Sequence, residues 1–108
     1  MSYFIFPQGW IAPAIAAASL AFGSLSDTTQ IIYRNLPGQQ LGQARPPRTI
    51  AIDKKPAGDW PKAKAQCVIA HEFGHLRGRG HSKNPRSIMY PVLSAPPCHR
   101  WLKRHGLE

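Results

Sequence analysis

The sequence predicts an α+β domain, and three observations carry that prediction. Thr29–Arg34 is β-branched and aromatic and is stopped by Asn35, Pro37 and Gly38, which marks a strand. The stretch L-G-Q-A-R-P-P-R-T-I-A-I-D from Leu41 to Asp53 reads as two short strands joined by a proline turn. Alanine- and leucine-containing runs on either side of these strands have the composition of helices.

Taken in order, Pro13–Phe22 is the first helix: its Ala-rich run has high helix propensity, and Pro13 suits a first-turn position. The preceding apolar residues lack the Lys or Arg of a secretory signal, and Pro7 and Pro13 interrupt them, so neither a signal nor a membrane span is expected. The strand over Thr29–Arg34 follows, then strands over Leu41–Ala44 and Thr49–Asp53. Asp59-Trp60-Pro61 is a helix start, with Asp59 as N-cap, and the helix runs to Leu76. A last helix over Cys98–Glu108 would pack Trp101 and Leu102 and end at Gly106, leaving His99 and His105 in solvent.

A chain of 108 residues has room for one core, so residues 1–108 are expected to be a single domain, acting as a monomer. Eleven prolines and nine glycines imply many turns, and a bound metal is expected to help hold so small a fold together. The net charge is +9, and no Lys or Arg precedes Arg34, so the positive charge lies in the second two thirds. Such a balance suits an acidic partner, and no nucleic-acid motif accompanies it.

The chemistry is concentrated between Cys67 and Pro91. Residues four apart share a helix face, so His71 and His75 can offer two imidazole nitrogens to one ion, with Glu72 beside them. A catalytic zinc site takes three protein ligands and keeps one position open. His81 is placed to be the third, because Gly78 can end the helix in a left-handed conformation and Gly80 adds freedom for the chain to return.

His71, Glu72, His75, Gly78 and His81 fill the pattern H-E-x-x-H-x-x-G-x-x-H in order, and S-I-M-Y-P places Met89 where a methionine turn belongs. This resembles a metzincin, and G-H-S followed by I-M-Y-P is most similar to the matrixins. The resemblance implies a zincin-like fold: a small twisted mixed sheet with an antiparallel edge strand, a backing helix, an active-site helix and a short C-terminal helix. It adds a first strand over Tyr3–Phe6. It implies a zinc-dependent endopeptidase with zinc on His71, His75 and His81, a water activated by Glu72 as general base, and Met89 as an apolar floor that is not a ligand.

By the same resemblance, Leu41, Gly42, Gln43 and Ala44 form the edge strand that pairs with an extended peptide or protein substrate. Cys67 and Val68 on the helix, with Pro91, Val92 and Leu93 after the methionine turn, border the pocket for the side chain following the cleaved bond. Ala51 stands where matrixins carry a histidine for a second zinc, so no structural zinc is expected. Asp53 followed by Lys54 and Lys55 makes a thin acidic cluster, so a calcium site is doubtful. A Cys67–Cys98 disulfide would staple the pocket wall to the helix and point to an oxidising compartment, but two cysteines without a clear signal peptide are as easily buried free thiols, which is the expectation here, and the compartment stays open.

Two readings from other classes compete. One is a metal-stabilised binding protein without turnover, against which Glu72 argues, because a structural zinc has no use for a base. The other is a nucleic-acid-associated protein drawn by positive charge, which a steep salt dependence of DNA binding would reveal.

Overall fold

The computed structural model describes residues 5–54 and 60–108. The chain order is helix α1 (Gln8–Phe22), strands β1 (Gln30–Arg34), β2 (Gly42–Arg45) and β3 (Thr49–Asp53), helix α2 (Lys62–Leu76) and helix α3 (Ala95–Arg104). The strands form one mixed sheet in the order β1-β3-β2. β1 runs parallel to the central β3, with Ile31 opposite Ile50 and Tyr33 opposite Ile52. β2 is antiparallel to β3, with Gly42 opposite Ile52 and Ala44 opposite Ile50.

Alternation along a strand sends successive side chains to opposite faces. One face therefore carries Ile31, Tyr33, Ile50 and Ile52, and these join the core formed with α1 and α2. Gly42 and Ala44 of β2 belong to that same face. Ala51 lies on the other face, between Ile32 and Gln43 in register, none of which offers an imidazole. The Asp53 carboxylate accepts the Leu36 N–H at 3.2 Å, tying the end of β3 to the loop after β1.

Helix α1 begins at Gln8, five residues before the position expected for it, with Pro7 as the cap residue and Pro13 in its interior. An interior proline costs a helix about 3 kcal/mol, but Ala14, Ala17 and Ala18 are buried in the common core and Trp10 packs against it. Gln66 of α2, itself buried, donates from Nε2 to the Trp10 carbonyl at 3.1 Å. Packing of this face outweighs the local penalty.

Tyr3 and Phe4 of the expected first strand, and the expected N-cap Asp59, lie outside the described residues. Ile5 and Phe6 are not in a strand; Phe6 is instead a core residue, its ring set against Trp10, Tyr33 and Trp60. α2 takes Pro61 as its cap residue.

α3 starts three residues before Cys98, because Pro96 and Pro97 fall in its first turn, where the missing N–H groups have no intrahelical role. Its C-terminus closes with Gly106 at φ 77°, the Gly106 N–H reaching the Lys103 carbonyl and the Leu107 N–H the Leu102 carbonyl. His99 and His105 are not simply solvated. His99 pairs through Nδ1 with Glu108 at 2.6 Å, and His105 stacks on Trp101 with ring centroids 4.0 Å apart.

The cysteines are joined, correcting the expectation of free thiols: Cys67 on α2 and Cys98 in the first turn of α3 form a disulfide, their Cα atoms 5.7 Å apart. The pairing depends on how α3 docks, which no sequence spacing reveals. No helix among the described residues is long and apolar enough to cross a membrane.

Candidate metal centre and cleft

His71 and His75 stand one turn apart near the end of α2. After Leu76 the helix stops in the same way as α3. Gly78 takes φ 85°, its N–H bonds to the His75 carbonyl, and the Arg79 N–H bonds to the Gly74 carbonyl. That reversal carries His81 back, and one ligand atom from each of His71, His75 and His81 lies within 4.8 Å of the others.

The ring orientations are fixed from behind. His71 Nδ1 is 2.7 Å from the Ile88 carbonyl, and His75 Nδ1 is 2.7 Å from the Arg79 carbonyl. A carbonyl oxygen only accepts, so each Nδ1 carries the proton and each Nε2 presents a lone pair. These two Nε2 atoms face one another at 3.2 Å. Two bare lone pairs at that distance repel unless a cation lies between them, whereas two nitrogens on one tetrahedral zinc are about 3.3 Å apart at the usual bond length. The donor set fits a zinc ion. Burial pushes the His71 imidazolium below the ordinary histidine range, and His75 and His81 add repulsion against the pull of the Ile88 carbonyl. The neutral ligand form is the favoured one.

Met89 is buried, and its turn and side chain both contact segments that carry the histidines. The turn from Ser87 to Tyr90, closed by the Tyr90 N–H on the Ser87 carbonyl, supplies the Ile88 carbonyl to His71 and the Met89 carbonyl to the Ser82 N–H beside His81. Gly74 makes room for the thioether: a Cβ there would lie 2.5 Å from Met89 Sδ. Sulfur and helix backbone are thus in close contact, and the turn holds two of the three histidine segments in place.

Glu72 is 9% exposed on the helix face that meets β2. Burial raises its carboxyl above the ordinary range, while His75 and a hydrogen bond from the Ala44 backbone act the other way. Gly42 lets the strand come this close, because a Cβ there would lie 3.0 Å from Glu72 Cγ and 2.8 Å from Val68 Cγ1.

These groups line one cleft of about 950 Å³. Of the residues expected to bind substrate, Leu41, Gly42, Gln43, Ala44, Val68, Pro91, Val92 and Leu93 border it. Cys67 does not; it is fully buried and its sulfur is committed to Cys98. The wall also includes Gln39, Gln40, Pro46 and Tyr90, which the sequence reading passed over. Tyr90 sits inside the I-M-Y-P signature and was open to recognition; the glutamines and Pro46 flank a strand whose length only the sheet defines. β2 occupies Gly42–Arg45, one residue later than expected.

A family model, that of the matrixins, matches residues 37–104, from the loop before β2 through α3. The chain belongs to the matrixin family. Matrix metalloproteinase-9 from Canis lupus familiaris is 51% identical over 35 residues, covering 30% of this chain and 5% of that protein. Metalloendoproteinase 1 from Glycine max is 54% identical over 35 residues, covering 32% of this chain and 11% of that protein. This matrixin therefore spans a small fraction of the curated relatives it matches. No solved structure matches it.

Proposed function

We propose that this matrixin is a zinc-dependent endopeptidase, and that the cleft between β2 and the Pro91–Leu93 segment holds an extended peptide across the histidine centre. The observation that carries this is the convergence of His71, His75 and His81 beside a buried carboxylate, in a cleft walled by a sheet edge. Among the described residues β2 is paired only with β3, so its outer backbone groups, apart from the Ala44 N–H held by Glu72, are available to a substrate strand. Zinc held there would supply Lewis acidity, lowering the pKa of a coordinated water and polarising a substrate carbonyl.

The protein's own groups do the rest. Glu72, ionised, takes a proton from water as the water oxygen bonds to the scissile carbonyl carbon, and returns that proton to the leaving amine nitrogen as the peptide C–N bond breaks, leaving a carboxylic acid and an amine with Glu72 ionised again. The Ala44 backbone N–H on Glu72 orients that carboxylate. Val68, Val92 and Leu93 are apolar residues of the cleft wall and would receive an apolar side chain. A protein that merely stores a metal has no use for a carboxylate kept buried at this place.

Digestion of a peptide library, read by mass spectrometry, tests the reading with wild type and Glu72→Ala at equal zinc occupancy. Cleavage by the wild type that drops at least about 10²-fold in the variant is expected for loss of a general base. Equal cleavage by both removes Glu72 from the reaction.

A further inference from the structure

The two ends of the cleft differ in charge. Gly42 lies against Val68 and Glu72, and Ala44 is hydrogen-bonded to Glu72, so β2 advances along α2 toward the histidines. Pro46 lines the cleft together with His75 and His81, and Arg45, the last residue of β2, stands next to it on the side away from Gly42 and Val68. The loop that carries His81 adds Lys83 and Arg86, both exposed, while the Arg79 guanidinium lies over the Phe22 ring of α1. The one acidic residue lining the cleft is the buried Glu72. Among the described residues, the remaining carboxylates belong to Asp27, Asp53 and Glu108. Asp53 holds the Leu36 N–H and Glu108 pairs with His99.

Arg45 is also prepared for a ligand. Its side chain lies on the sheet face away from α2, with Gln43, and donates from Nε to Gln43 Oε1 at 2.9 Å. Gln43 thus uses one edge of the guanidinium and steers the fork. The terminal Nη groups remain for an acceptor, and a planar fork suits a carboxylate in two-pronged contact. A peptide strand added at the edge of β2 alternates its side chains between the two faces, and those on the outer face fall about 5 Å from Gln43 and Arg45.

We infer that Arg45, oriented by Gln43, selects an acidic side chain in the substrate at the one position that shares its face of the sheet. Resting on the proposed peptidase activity, this names the substrate class: acidic peptide segments bearing an apolar residue on the other side of the cleaved bond. Lys83 and Arg86 on the His81 loop add positive charge that draws such a segment toward the cleft.

The test is a set of quenched fluorescent peptides with Glu, Gln or Lys at each position flanking the bond, cut by zinc-loaded wild type and Arg45→Glu. One position is expected to favour Glu over Gln by about two- to five-fold in kcat/KM, as a solvent-exposed ion pair allows. At that position Arg45→Glu is expected to favour Lys instead. Equal rates for Glu and Gln everywhere, or a preference that survives charge reversal, overturn the assignment. The same labelled peptides are titrated by anisotropy onto zinc-loaded Glu72→Ala protein, with and without Arg45→Glu. If no peptide is cut, the peptidase reading fails separately, and this binding comparison still decides on Arg45: a charge preference that reverses supports it, and equal or absent binding refutes it.

Discussion

Replacing Gly42 by alanine places a methyl group where β2 and α2 already touch. The new Cβ would lie 2.8 Å from Val68 Cγ1, 3.0 Å from Glu72 Cγ and 3.3 Å from Glu72 Oε2. Comfortable carbon–carbon contact is about 3.5–4.0 Å, so strand and helix must part by about 0.5–1 Å. Val68 cannot easily turn aside, because a β-branched side chain on a helix has one strongly preferred rotamer. Overpacking of this kind costs about 1–3 kcal/mol, which for a domain of this size lowers Tm by on the order of 10 °C. The separation also strains the Ala44–Glu72 hydrogen bond and shifts the carboxylate against the histidines. A 1 Å misplacement can cost about 10²-fold in rate. Thermal unfolding and kcat/KM measured on Gly42→Ala are expected to show both losses, and adding Val68→Ala should restore part of the stability. A variant with wild-type Tm and wild-type kcat/KM would refute the close approach of β2 to α2 on which the placement of Glu72 depends.

Zinc titrated into the metal-free protein is expected to bind one ion per chain by calorimetry and to stabilise the fold by about 4 kcal/mol at a thousandfold excess over Kd; His81→Ala should lose most of that gain, and an unchanged Kd would sink the three-ligand site. Cys67 and Cys98 close a loop with a sequence separation of 31, for which chain entropy predicts a loss of about 3.5 kcal/mol in Cys98→Ser; denaturant unfolding measures it, and a loss below about 0.5 kcal/mol would argue that the bridge contributes little. In the metal-free protein, burial raises the Glu72 pKa, so its contribution to stability is fully present below the unfolded value and is lost as pH rises through the folded pKa. Glu72→Gln, which cannot ionise, should therefore gain in Tm over wild type as pH rises through that range, and parallel Tm curves would contradict it.

The convergence of the three histidines was legible because it is local. His71 and His75 are related by one helical turn, and the reversal that returns His81 needs only the positive φ that Gly78 tolerates. The strand over Thr49–Asp53 was equally readable, since its β-branched and apolar residues are bounded by a proline turn and by Lys54. Helix α1 resisted reading from sequence because Pro13 argues locally for a helix start, and the burial of Ala14, Ala17 and Ala18 in the core overrules it.

Sequence by itself determined which groups lie close enough along the chain to form a candidate site: imidazoles at helical spacing, a carboxylate beside them, and a glycine to end the helix. Tertiary structure alone decided that Cys67 bonds Cys98 instead of facing the cleft, that the Ile88 and Met89 carbonyls brace the histidine segments, and that Gly42 admits the edge strand to Glu72. The division has a physical cause. Helical periodicity and backbone sterics act over a few residues and can be read along the chain, whereas the disulfide, the Ile88 carbonyl brace and the strand contact join segments 17 to 31 residues apart, and packing chooses among their many possible pairings.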